Sequence, residues 1–92
     1  MPSGRRRPHT RTRAQSERIH FRRRALERYG LRLGDAAQDR IVEDIRAGRA
    51  VFVERQSHRV RIYDVQYAGQ RMRVVYDRKR RLLVSALPEP KP

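Results

Sequence analysis

The chain of 92 residues contains no cysteine and no long apolar run. Without cysteine it has neither a disulfide framework nor a thiolate metal site. No apolar run approaches the roughly 20 residues that a membrane-spanning helix requires. Arg5, Arg6 and Arg7 are not followed by an apolar segment, which is unlike a secretory signal. We therefore expect a cytoplasmic protein that does not bind membranes.

Acidic residues are also scarce, since 10 Asp and Glu face 24 Arg and Lys, for a formal net charge of +14. Such an excess repels itself in a compact chain unless a polyanion neutralises it. All the basic residues are arginine except Lys79 and Lys91. A guanidinium binds phosphate with two parallel hydrogen bonds and stacks on bases. Codon usage in a GC-rich genome would also favour arginine over lysine, but it does not explain the excess of base over acid.

The composition divides the chain into three parts. Residues 1–15 predict a disordered basic arm, because no aliphatic residue after Met1 is larger than alanine. Residues 16–88 predict a single domain, and residues 89–92 a flexible tail. Basic arms bind polyphosphate non-specifically. The arginines of the arm are therefore predicted nucleic-acid contacts: Arg5, Arg6, Arg7, Arg11 and Arg13.

The first helix is predicted over Ser16 to Tyr29. Ser16 is a suitable N-cap, and Gly30 is a natural stop. Ile19, Leu26 and Tyr29 share one face at spacings of seven and three residues. We expect this face to be buried.

The second helix is predicted over Asp35 to Ala47, and Gly48 ends it. Asp35 and Gln38 have the spacing of a capping box. The buried stripe is predicted to consist of Ala37, Ile41 and Ile45.

The remaining sequence predicts three or four strands joined by short turns. The candidate strands are 50–54, 60–67, 71–76 and 82–87. Met72, Val74 and Tyr76 alternate onto one face, and a slip in alternation between Ile62 and Tyr63 suggests a β-bulge. Short connections favour an antiparallel meander. The predicted fold class is α+β, with two N-terminal helices packed on one face of a three- to four-stranded antiparallel sheet.

Two consecutive helices also suggest a DNA-binding helix-turn-helix, whose second helix enters the major groove. Here the second helix is net acidic, so phosphate would repel it. Positive charge lies instead in the arm, in the first helix and in the 78–81 turn, an arrangement that suits single-stranded or looped RNA. Tyr63, Tyr67 and Tyr76 are candidates for base stacking, although a core position is the simpler interpretation of each. The basic residues of the helix and turn are Arg18, Arg22, Arg23, Arg24, Arg28, Arg78, Lys79, Arg80 and Arg81.

One helical spacing suggests chemistry. His20, Arg24 and Arg28 are four residues apart, so on a helix they line one face with neighbours about 6 Å apart. Histidine titrates near neutral pH, and arginines stabilise a phosphate in its transition state. This set suits metal-free RNA cleavage, in which the 2′-hydroxyl attacks the adjacent phosphorus. An ordinary solvated helix face is the alternative interpretation.

No cofactor or metal is predicted. No two histidines have metal-ligand spacing, and the chain contains neither a glycine-rich phosphate loop nor a nucleophilic serine motif.

The run His20-Phe-Arg-Arg-Arg-Ala-Leu-Glu-Arg-Tyr-Gly-Leu31 resembles the opening of a family of small bacterial and phage proteins. These have an H-x-x-x-R-x-x-x-R helix, a second helix that ends in glycine (here Gly48) and a meander. The closing strand of the family is similar to Leu83-Val-Ser-Ala-Leu-Pro88. The family is grouped with the RelE and BrnT toxin ribonucleases, in the barnase–EndoU–colicin–RelE fold group.

The resemblance implies roles for several residues. His20 and Arg24 would lie near a catalytic cleft with Arg28 behind them, and Ser85 would stand where the family usually has threonine. Residues of the preceding strand are candidate phosphate contacts: Arg71, Arg73 and Tyr76.

The leading hypothesis is an RNA-binding protein of RelE/BrnT-like fold that acts as a metal-independent endoribonuclease or toxin. An acidic antitoxin would then cover its basic groove. One alternative is a non-enzymatic phage or host accessory protein that binds nucleic acid or a nucleic-acid-bound machine. Another is a basic inhibitor that docks on an acidic protein.

Overall fold

The computed structural model describes residues 12–89. Each strand pairs antiparallel with the next, in the order β1-β2-β3-β4. The predicted α+β class is confirmed, with four strands in the sheet. Among the described residues, no helix is long and apolar enough to cross a membrane. The elements are α1 (Arg13–Tyr29), α2 (Asp35–Arg46), β1 (Val51–Arg55), β2 (Val60–Tyr67), β3 (Gln70–Asp77) and β4 (Leu82–Leu87).

Helix α1 begins three residues earlier than predicted, because Thr12 and not Ser16 is its N-cap. The Thr12 hydroxyl accepts a hydrogen bond from the Gln15 N–H at 3.1 Å, and the Gln15 side-chain oxygen accepts one from the Thr12 N–H at 2.8 Å. This reciprocal pair satisfies two backbone donors at the helix start. Residues 12–15, assigned above to the arm, therefore cap and begin the helix. The rest of the predicted arm, residues 1–11, lies outside the described residues.

The predicted buried stripe of α1 is confirmed at Tyr29 and is wrong at Ile19 and Leu26. Phe21, Ala25 and Tyr29 face the sheet, whereas Ile19 and Leu26 remain 38% and 40% exposed. Phe21 and Ala25 are fully buried, so the helix face centred on the Phe21 ring is the one that packs on the sheet.

Helix α2 follows Gly34 and has no side-chain cap, so the predicted Asp35–Gln38 capping box is wrong. Gln38 is buried instead, and its amide donates to the carbonyl oxygens of Leu33 at 2.9 Å and Arg18 at 3.2 Å. These bonds satisfy backbone acceptors where the loop passes between the helices. The predicted stripe is confirmed: Ile41 and Ile45 are buried and Ala37 is half-buried.

The helices cover one face of the sheet, and the core lies between the helices and this face. Met72, Val74 and Tyr76 point into this core, as predicted. Strand β2 pairs with β3 without interruption, so the predicted bulge is not in β2. The register shifts in β1, between Phe52 and Glu54, directly opposite the point where the alternation of β2 slips. The extra residue therefore belongs to the edge strand, where bulges are common.

Candidate nucleic-acid interface

Helix α1 lies along the edge strand β4 and is tied to its end. The Arg28 guanidinium donates to the Ala86 carbonyl oxygen at 2.7 Å. The Tyr29 hydroxyl donates to the Leu87 carbonyl oxygen at 2.6 Å and accepts from the Arg73 N–H at 3.1 Å. Arg28 therefore satisfies a strand carbonyl, and a phosphate would compete with that carbonyl for its guanidinium.

His20 is half-buried on the helix flank that also carries Arg24 and Arg28. Arg24 forms an ion pair with Glu27 at 3.2 Å, one turn along the same helix. Within residues 12–89, no hydrogen bond connects His20 to either arginine. Helical geometry aligns the three side chains, but each arginine already has a partner within the protein.

Ser85 lies on a different surface. It pairs with Val75, whereas its neighbour Ala86 pairs with Val74 and belongs to the core. Side chains alternate between the faces of a strand, so Ser85 is on the face of the sheet opposite the helices. The structure therefore does not bring Ser85 together with His20.

The predicted contacts on β3 have three different environments. Arg73 donates twice to the Asp64 carboxylate, at 2.8 and 3.0 Å. These hydrogen bonds hold the pKa of Asp64 below its ordinary value, although burial opposes them. Tyr76 is 4% exposed and belongs to the core, so it is not a surface contact. Arg71 is exposed and has no carboxylate partner among the described residues.

The turn between β3 and β4 is organised by Asp77. One carboxylate oxygen accepts from the backbone N–H groups of Lys79 and Arg80 at 3.0 and 3.1 Å, and the other accepts twice from Arg59 at 3.1 and 2.7 Å. Burial raises the pKa of Asp77, but these hydrogen bonds outweigh burial and leave it below its ordinary value. Arg81, the last residue of the turn, has a backbone φ of +56°, a conformation that residues other than glycine rarely adopt.

We call Arg78, Lys79 and Arg81 the basic turn. All three are exposed, and none forms an ion pair within the described residues. The fourth cation, Arg80, points back to Glu17 of α1 at 2.6 Å. The turn thus presents three unneutralised charges on a backbone that Asp77 holds in place.

A cleft of about 400 Å³ beside the basic turn is lined by His58, Arg59, Arg78 and Lys79. Arg59 is neutralised by Asp77, so Arg78 and Lys79 supply the unpaired positive charge of the cleft. Because Glu17 contacts the turn, the N-terminal half of α1 lies at the same end of the molecule. The predicted contacts of the arm before Thr12 lie outside the described residues: Arg5, Arg6, Arg7 and Arg11.

The carboxylates of α2 neutralise arginines away from the basic turn, whereas Glu17 and Asp77 pair with Arg80 and Arg59 beside it. All ten carboxylates of the chain lie within residues 12–89, and those of α2 pair mainly with cations of α1, α2 and the following loop. Arg13, predicted as a contact, lies 3.9 Å from Glu17 and remains largely exposed. The described cations without an ion-pair partner are Arg22, Arg23, Arg28, Arg32, Arg46, Arg55, Arg61, Arg71, Arg78, Lys79 and Arg81.

Arg46, Arg55 and Arg61 belong to this set although no motif marked them. Arg61 alternates with Tyr63 along β2, so both lie on one face of the sheet. This alternation can be read from the sequence, and it places Arg61 on the same face of the sheet as Tyr63. Arg55 is not identified in this way, because the bulge in β1 changes its face.

In the part of the chain that the structure describes, no cluster of three histidine or acidic side chains is arranged to hold a metal ion. Comparison with known proteins yields no match to a family model, to a curated protein or to a solved structure.

Proposed function

We propose that this chain binds single-stranded or looped RNA through the basic turn and the cations around it. The observation that carries the proposal is that three cations of one short turn have no carboxylate partner among the described residues. Arg78, Lys79 and Arg81 are exposed without carboxylate partners, whereas the carboxylates of α2 neutralise arginines elsewhere. Unpaired guanidinium and ammonium groups release counterions from a polyphosphate when they bind it, and this release drives association.

Single-stranded RNA fits this arrangement better than duplex DNA does. A protein that reads a major groove inserts a helix with a cationic surface. Helix α2 instead exposes Asp35, Asp39 and Glu43, which repel phosphate. The basic turn lies beside a cleft, and clefts accept single strands and loops.

The finer proposal is a RelE/BrnT-like fold with metal-independent endoribonuclease or toxin activity. Two helices followed by a four-stranded meander are the architecture that the resemblance implies. In this mechanism His20 accepts the proton of the 2′-hydroxyl, whose oxygen attacks phosphorus. The bond to the 5′-oxygen breaks, which leaves a 2′,3′-cyclic phosphate and a 5′-hydroxyl after that oxygen is protonated. Arg24 and Arg28 would have to exchange Glu27 and the Ala86 carbonyl for the phosphate, so the geometry supports binding more directly than cleavage.

The binding proposal is tested by removing charge from two places. The double variant Arg78→Gln and Lys79→Gln loses two exposed charges of the basic turn. The double variant Arg40→Gln and Arg49→Gln is the matched control, because both of these arginines pair with Asp44. We expect the turn variant to weaken binding of a labelled single-stranded RNA and to reduce the slope of log affinity against log salt by about 1.4. Equal effects of the two double variants would contradict a localised interface.

The cleavage proposal is tested with His20→Ala and a labelled structured RNA in EDTA. Loss of a general acid–base group lowers the rate about 100-fold or more. We expect the variant to retain RNA binding while 2′,3′-cyclic phosphate products disappear. Cleavage by the variant at the wild-type rate would remove His20 from the mechanism. Binding without cleavage by both proteins would favour a non-enzymatic accessory protein.

A further inference from the structure

A row of aromatic rings runs from the core to the surface. Phe52 of β1 lies opposite Tyr63 of β2, and their ring centroids are 5.8 Å apart. The Tyr63 ring lies 6.2 Å from that of Tyr76, which is buried. Both pairs meet edge to face, at 71° between ring planes. The row ends in Phe52, which is 52% exposed on the edge strand.

Two arginines stand beside this row without counterions. Arg55 and Arg61 are direct cross-strand partners, and Arg61 is also the partner of Tyr76. Cross-strand partners share a face, so both arginines lie on the face of the aromatic row. Like charges directly opposite each other destabilise a sheet. Neither arginine forms an ion pair within the described residues.

Arg61 also has a hydrogen-bond donor without an acceptor. Its Nε is shielded from solvent and has no hydrogen-bond acceptor within the described residues. A buried donor without an acceptor costs stability. An anion placed between Arg55 and Arg61 would reduce the repulsion, and it would reach the Nε donor only after the Arg61 side chain moved toward solvent.

The inner end of the row lies next to the basic turn. Arg61 pairs with Tyr76, and Tyr76 lies two residues before Arg78 along the chain. Burial raises the pKa of the Tyr76 hydroxyl, and the positive charges of Arg46 and Arg81 oppose that rise.

We propose that Phe52, Tyr63, Arg55 and Arg61, which we call the aromatic–arginine face, bind one nucleotide of a single-stranded RNA. The base stacks on the exposed Phe52 ring, and the phosphate lies between Arg55 and Arg61. Every base has a π-face, so such stacking tolerates any sequence. The proposal rests on the proposed function and adds a position at which the protein contacts a base as well as phosphates.

The combination of groups selects this occupant. An acidic peptide would satisfy the two arginines but would make no specific use of an exposed phenyl ring. A purely apolar partner would leave two adjacent guanidinium groups unneutralised as it excluded water from them. A nucleotide supplies a flat π-system and an anion within one unit.

The absence of tryptophan from the chain provides a direct test. Phe52→Trp introduces a single tryptophan at the stacking position, and it can be excited selectively in the presence of the four tyrosines. We expect its emission to be quenched by a short single-stranded RNA and not by an oligomer of the same length that lacks bases. Quenching by both oligomers alike would overturn base stacking.

Affinity measurements supply the second readout. We expect Phe52→Ala to weaken binding of the same RNA about tenfold. Val51→Ala is the matched control, because Val51 is an exposed apolar residue on the same strand that pairs with Asp64 on the opposite face. We expect Arg55→Gln also to weaken binding while its thermal midpoint stays at or above that of wild type, since the repulsion is gone.

The possible failures are distinguishable. If neither Phe52→Ala nor Val51→Ala changed RNA binding, the proposed role of the aromatic–arginine face would be overturned. The proposed function would still stand. No binding of RNA by wild type would overturn both proposals. Binding of polyglutamate in place of RNA, blocked by Arg55→Gln, would assign the face to an acidic protein.

Discussion

The carboxylate of Glu17 lies 2.6 Å from the guanidinium of Arg80, which ties α1 to the turn between β3 and β4. The two side chains are 21% and 23% exposed, so solvent screens their attraction only in part. This pair holds one cation of the turn against the protein while its three neighbours remain unpaired.

Glu17→Gln should therefore strengthen RNA binding while it weakens the fold. The substitution releases Arg80 to bind phosphate, and we expect loss of the ion pair to lower the free energy of unfolding by about 1 kcal/mol. Glu43→Gln is the control, because it makes the same charge change on the surface of α2 and releases no arginine within the described residues. Affinity titrations that show equal gains for both variants would indicate a general charge effect and contradict a specific role of the turn.

Tyr29→Phe should destabilise the protein by about 2 kcal/mol, because the Arg73 N–H and the Leu87 carbonyl both lose a hydrogen-bond partner. Tyr67→Phe is the matched control, since within residues 12–89 its hydroxyl forms no hydrogen bond. Denaturant unfolding measures both changes. A loss for Tyr29→Phe no larger than that for Tyr67→Phe would show that the bridge between α1 and the sheet contributes little.

Asp77 should make stability depend on pH in the acid range. Its folded-state pKa lies below the ordinary value of about 3.9, so the unfolded chain binds its proton first as pH falls. The stabilisation is complete well above pH 4 and is lost as pH falls through the folded-state pKa. Asp77→Asn should be less stable than wild type by about 1 kcal/mol at pH 7, with the difference shrinking toward pH 2. Unfolding curves that keep a constant difference between pH 7 and pH 2 would contradict this assignment.

Arg81→Gly should separate stability from binding. Arg81 and Ala68 both have positive φ, at +56° and +53°, and glycine adopts this conformation without strain. Replacing either residue by glycine should leave the free energy of unfolding unchanged or raise it by about 0.5 kcal/mol. RNA affinity should fall for Arg81→Gly alone, because Ala68→Gly changes no charge. Unchanged affinity in Arg81→Gly would remove this residue from the interface.

Most of the fold could be predicted because turn residues and strand alternation are local signals. Gly30 and the β-branched run of β2 marked their elements within a residue or two. The start of α1 was missed because intrinsic propensity favours Ser16 over Thr12 as the cap. Only the reciprocal bonds of Gln15 decide between them.

The candidate site was less predictable because partners distant in sequence determine which charges remain available. Spacing placed His20, Arg24 and Arg28 on one flank, but it could not show that the Ala86 carbonyl engages Arg28. Likewise, Arg73 was a candidate contact until the register of β2 and β3 set it opposite Asp64.

The central claim is that the protein binds single-stranded RNA through unpaired cations. Its most direct test is the affinity of the wild-type chain for a single-stranded RNA and for a duplex DNA of the same sequence, measured in EDTA at several salt concentrations. We predict tighter binding of the single strand, with an affinity that falls steeply as salt rises. Stronger binding of the duplex, or an affinity that does not change with salt, would contradict the account.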